Sequence, residues 1–152
     1  PFLLVSTLEV IMAQRLVRRL CPEREAYIPT EVEIKNLATK ANLDRVLEYL
    51  KKEKIIKPTD NWGTISFYHP KLATSDKTGQ TAGPEGYAGR VSINEVLPMS
   101  RAMHELVLKG SSAEALSEQA RTEGMLTMLE DGIFKVVQGI TTIEEVLRAV
   151  TE

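Results

Sequence analysis

Residues 123–147 read EGMLTMLEDGIFKVVQGITTIEEVL. Leu126, Leu129, Ile133, Val136 and Val137 recur there at helical spacing, and Gly124 and Gly139 stand where helices stop. Thr141 with Glu144 three residues later reads as a capping box that opens a last helix carrying Ile143, Val146 and Leu147. Just upstream, Ser100 caps a helix ending at Gly110, and Ser111 with Glu114 forms another capping box. Leu106, Val107, Leu116 and Ala120 add apolar positions, so the region predicts a helical bundle with one common core.

Before that bundle, residues 90–97 alternate, with Val91, Ile93 and Glu95 on one face and Ser92, Asn94 and Val96 on the other, which predicts a strand. Residues 69–89 shift to Lys, Thr, Ser, Ala, Pro and Gly, including Gly79, Gly83, Gly86 and Gly89, and read as a long loop. Thr30 with Glu33 caps a helix that packs Ile34, Leu37 and Ala38, and Leu43, Val46, Leu47 and Leu50 line the next helix. Ile55 and Ile56, the turn residues 59–63 and the β-rich run 64–68 predict a hairpin, with Pro58 marking an edge strand. Ser6 with Glu9 reads as a capping box, and Leu8, Met12, Leu16 and Leu20 follow every four residues, so 7–20 is predicted as a helix ended by Pro22. The expected class is α+β, mostly helical.

The 152 residues, 43% of them hydrophobic, suffice for a real core. Lys and Arg number 19 against 21 Asp and Glu, so no basic surplus is present to hold nucleic acid or anionic lipid by charge alone. Cys21 is the single cysteine, which excludes an internal disulfide framework and fits a reducing, cytoplasmic compartment. The apolar runs 2–5 and 10–13 fall far short of the roughly 20 residues a membrane span needs. Pro1, with no initiating Met before it, reads as a cut end.

Three stretches in order resemble the ATPases of type II secretion and type IV pilus assembly: AQRLVRRLCP at 13–22, GYAGRVSINEVLP at 86–98, and the 123–147 segment with its EDG, KV, QG and TT-x-EEV elements. The resemblance implies a hexameric cytoplasmic motor at the inner face of the bacterial inner membrane. It is fed by ATP and magnesium and works on an inner-membrane platform protein. It also implies three parts: 1–21 as the end of a RecA-like domain, 22–89 as an insert with the Gly-rich loop, and 90–152 as a strand and C-terminal helical subdomain. Members of this family usually carry two CxxC pairs that form a tetrathiolate zinc module. Here Arg24 stands where the mate of Cys21 is expected and no later cysteine follows, so no structural zinc is expected. The insert's order of helix, helix and hairpin is winged-helix-like.

ATP hydrolysis needs a phosphate loop, and no GxxxxGK[ST] occurs in the sequence. No catalytic residue, metal ligand or resident cofactor is therefore assigned, and the chain alone should be inactive. Arg15, Arg18 and Arg19 lie three to four apart on the predicted first helix, where a solvated face and a subunit or nucleotide contact both fit. Arg90 follows Gly89 and opens the strand; an ion pair with an acid such as Glu95 and a place in a subunit interface both suit its fork. His69 and His104 show no spacing that makes a site, and Trp62 either covers the hairpin or meets a partner. The rival to the motor reading is a freestanding winged-helix-like module that contacts nucleic acid or a regulator. Against DNA, Asp44 and Glu48 alternate with Arg45 and Lys51 on the would-be recognition helix.

Overall fold

The computed structural model describes residues 7–71 and 85–151. Two long strands, β1 (Val10–Leu20) and β4 (Tyr87–Pro98), form an antiparallel ribbon in which Ile11 faces Leu97 and Val17 faces Val91. The predicted helix at 7–20 is therefore a strand. Leu8, Met12, Leu16 and Leu20 are four apart, and four is a multiple of the strand period as well as close to one helical turn, so the spacing did not discriminate. Pairing with β4 decides it. Ser6, the proposed cap, lies outside the described residues, and Glu9 offers its carbonyl to the Met99 amide instead.

The strand expected at 90–97 forms, but it starts at Tyr87. Arg18 faces Arg90 and Leu20 faces Tyr87, so Ala88 and Gly89 together oppose Arg19: a β-bulge. Gly89 sits there at φ +72°, a left-handed conformation that a side chain would strain, which gives the Gly-Arg pair a local reason. Val17 and Leu20, three apart on β1 and on either side of this irregularity, are both buried.

Helices α1 (Glu31–Ala38) and α2 (Leu43–Lys52) form where the Thr30 cap and the apolar positions predict them. Thr30 and Glu33 make both bonds of the capping box, and Asn42 caps α2 through the Arg45 amide. The hairpin does not form. Residues 55 and 56 lie in a bend, and the second predicted strand, β3 (Phe67–Pro70), pairs with β2 (Arg24–Tyr27), so the winged-helix-like order is not realised. Its true partner lies some forty residues upstream in a charged run that carries no strand signal. Trp62 is half-buried and packs edge-on to Phe67 at 6.5 Å between centroids. The loop predicted at 69–89 falls largely on residues 72–84, outside the described residues.

The C-terminal region folds as α3 (Arg101–Leu108), α4 (Ala113–Thr122), α5 (Met128–Val137) and α6 (Ile143–Thr151). Ser100 caps α3 as expected, but α4 is capped by Ser112 through the Ala115 amide, and the Glu145 amide donates to Thr142 at the start of α6, so both caps sit one residue later than predicted. Thr127 with Glu130 makes a further capping box. Gly110, Gly124 and Gly139 follow α3, α4 and α5 at positive φ. The expected common core divides: α3 and α4 pack on each other, and Leu106, Val107, Leu116, Leu126 and Leu147 are only partly buried. The main core instead joins Val17 and Ile93 of the ribbon to Leu43, Val46 and Leu50 of α2, Ile65 and Phe67, and Ile133, Val136 and Val146 of α5 and α6. A Cβ at Gly132 would collide with the Val146 side chain, so glycine lets α5 and α6 approach closely.

Candidate functional site

The ribbon has two unlike ends. At its inner end Val17 and Ile93 are fully buried against α5 and α6. At its outer end Val10, Ile11 and Met12 are exposed by 51, 48 and 59%, with Val96 of β4 also exposed; further in, Leu16, opposite Ser92, is exposed on the face away from Val17. Neighbours along a strand point to opposite faces, so both faces there are apolar and uncovered. That arrangement belongs to a strand pair that needs a further layer.

Two buried carboxylates tie the inner end together. Glu145 on α6 accepts the Arg18 amide at 3.0 Å, the Arg18 guanidinium at 2.8 Å and Arg148 at 3.0 Å. Burial by itself raises the Glu145 carboxyl, but the bonds from Arg18 and Arg148 outweigh it and hold the acid at about 2. The Arg18 guanidinium is raised in turn, first by its bond to Glu145, against burial, with Glu85 adding to the rise. It also lies over the Tyr87 ring at 4.2 Å. The Tyr87 hydroxyl shares a hydrogen bond of 3.1 Å with Thr142, and burial pushes its pKa up. Thr141 donates to the Arg18 carbonyl at 2.8 Å, so the TT-x-EEV element grips β1 from both sides of one residue.

Glu130, 2% exposed, does the same for the helices. It accepts the Asn42 amide at 3.1 Å and the Thr127 amide at 2.8 Å, and it pairs with Arg45. Asp131 beside it accepts the Asn94 amide of β4 at 2.7 Å and pairs with Lys135. The EDG element is thus a joint between α2, α5 and the ribbon. Reasoning from the sequence passed over these acids. Their signal is a carboxylate set on an apolar helical stripe: Glu130 lies three and seven residues before Ile133 and Val137, and Glu145 four before Ala149.

The four predicted arginines do not form one cluster. Arg15 donates to the Ala149 carbonyl, and Arg18 is held by Glu145 and Glu85, so both serve the ribbon's attachment to α6. Arg19 and Arg90 are exposed, and neither enters an ion pair among the described residues; Glu95 accepts the Met128 amide. His104 lies 3.4 Å from the Leu8 carbonyl, and His69 stacks on Tyr27. Cys21 is buried, and among the described residues no group of three His, Cys, Asp or Glu is placed to hold a metal. Nor is any described helix long and apolar enough to cross a membrane. For ATP and magnesium the fit fails: the chain has no phosphate loop, and its buried acids are all spent on amides and arginines.

These features describe helices clamped to a β-ribbon by buried carboxylates, with the ribbon's outer end left exposed. The family model described as Type II/IV secretion system protein matches residues 1–148, and the chain belongs to that family. It is 36% identical over 147 residues to a type IV pilus assembly ATPase PilB of Myxococcus xanthus, which covers 97% of this chain and 22% of the relative. It is 38% identical over 154 residues to a type II secretion system protein E of Xanthomonas campestris, covering 99% of this chain and 22% of the relative. A protein transport protein HofB homolog of Escherichia coli is 29% identical over 150 residues, again with only 26% of its length covered. The chain thus spans about a quarter or less of these relatives.

Proposed function

We propose that this chain is the C-terminal part of a hexameric cytoplasmic motor ATPase that powers type II secretion or type IV pilus assembly at the inner face of the inner membrane. In this reading ATP and magnesium bind elsewhere in the longer protein, and the present residues carry subunit contacts and transmit force to a membrane platform protein. The uncovered outer end of the ribbon carries the proposal. Two long strands with apolar residues on both faces are stable in water only when a further layer covers them, and a RecA-like catalytic domain upstream is such a layer. Residues 1–21 then close that domain, 86–98 re-enter beside it, and α3 to α6 form the C-terminal subdomain.

Arg19 and Arg90, which have no ion pair among the described residues, are the arginines we assign to a neighbouring subunit or its nucleotide. Calorimetry with Mg-ATP should give no binding heat for this chain alone, whereas the polypeptide extended upstream through a phosphate loop should hydrolyse ATP as a ring. In that longer protein Arg90→Ala and Arg19→Ala should lower hydrolysis while leaving the melting temperature unchanged. A micromolar ATP site on the 152-residue chain itself would overturn the assignment.

A further inference from the structure

Away from the ribbon, α1, the short β2–β3 sheet and α6 enclose a groove of about 230 Å³. Leu37, Phe67 and Ile143 are its buried floor, and the half-buried Leu147 and Tyr27 are its walls. The Tyr27 ring is fixed from two sides, stacked on His69 at 3.9 Å and edge-on to Phe67 at 6.1 Å, so the wall is preformed. Small-molecule sites run to about 300–1,000 Å³, and this volume is nearer that of one large side chain.

The rim is charged unevenly. Glu33 and Glu144 stand at the groove, and among the described residues that line it Lys40 is the one lysine or arginine. Glu33 spends one carboxylate oxygen, Oε2, on the Thr30 amide and hydroxyl, and Oε1 has no partner among the described residues. Glu144 enters no ion pair there, although the next residue, Glu145, is fully engaged. Both acids act on the Tyr27 hydroxyl, whose pKa rises to about 12 from burial first and then from Glu144 and Glu33. Negative potential therefore gathers beside the apolar floor.

We propose that this groove takes a short segment of a partner protein, with one aliphatic or aromatic side chain seated between Leu37 and Leu147 and an adjacent lysine or arginine held by Glu33 and Glu144. The fit is one of shape and charge: the floor offers apolar burial, and the free carboxylate oxygens offer acceptors that only a cationic neighbour satisfies well. This inference does not rest on the motor assignment, since the test needs the chain alone and no ATP.

The test is an NMR titration of the ¹⁵N-labelled chain with two capped peptides, Gly-Lys-Phe-Arg-Gly and Gly-Glu-Phe-Glu-Gly. The basic peptide should shift the amides of Asn36, Leu37 and Leu147 saturably, and the acidic one should bind about tenfold more weakly or worse. Glu144→Gln, an exposed change that leaves the fold intact, should weaken the basic peptide about two- to fivefold. The proposal is overturned if the acidic peptide binds equally, if Glu144→Gln changes nothing, or if the shifts fall elsewhere. It is also overturned if those amides move on raising the chain's own concentration without peptide, which would make a second copy the occupant.

Discussion

The inner and outer halves of the β1–β4 ribbon belong to one strand pair and have opposite surroundings. Val17 and Ile93 lie under α5 and α6 with no exposure, whereas Ile11 and Met12 on the same strand pair are about half exposed. Strand pairing runs through both halves and is interrupted at the bulge opposite Arg19. What separates them is the layer above: the inner half is covered by helices that its own chain supplies, and two buried carboxylates fix those helices in place. A strand's apolar face is buried where a layer covers it and stays open to water where none does.

The contrast should be largest in core truncation. Ile93→Ala removes a fully buried side chain beneath α5 and should cost about 2–5 kcal/mol in denaturant unfolding. A loss below half a kcal/mol would mean the inner half is not a core at all.

Next comes the Glu145 clamp. Its carboxyl sits at about 2 when folded, below the ordinary 4.5, so its stabilisation is fully present above pH 4.5 and fades as pH falls towards 2. The shift corresponds to something on the order of 3 kcal/mol. Glu145→Gln should cost about 1–3 kcal/mol at neutral pH and should flatten the acid limb of the stability curve between pH 4.5 and 2. An unchanged acid limb would show that Arg18 and Arg148 do not depend on this carboxylate.

The smallest effect belongs to the outer half. Ile11→Ser should change stability by no more than about 0.5 kcal/mol in the chain alone, because that side chain already meets water. A loss comparable to that of Ile93→Ala would erase the distinction between the halves.

The parts legible in the sequence were those fixed by neighbours along the chain. Thr30 with Glu33 and Ser100 announce their helices because a cap and its amide are three residues apart. The alternation from Val91 to Val96 shows a strand for the same local reason. The parts missed were fixed by distant partners. β1 looks helical until β4 arrives from some seventy residues downstream, and β2 carries no strand signal until β3 pairs with it. Among candidate site residues, composition and spacing grouped Arg15, Arg18 and Arg19 on one helical side. As a strand paired with the bulged β4, β1 instead sends Arg15 and Arg18 to α6 and leaves Arg19 in solvent. Glu130 and Glu145 could have been picked out as acids on apolar stripes, but their partners, the Asn42 and Arg18 amides, are visible only in the fold.

Amide hydrogen exchange, compared between this chain and the polypeptide extended upstream, separates a docked outer ribbon from a free one. If the outer ribbon docks on an upstream catalytic domain, the amides of residues 10–16 should exchange at least about tenfold more slowly in the longer protein, while those of Val17 and Ile93, already covered, should change little. Equal exchange of residues 10–16 in the two proteins would contradict it.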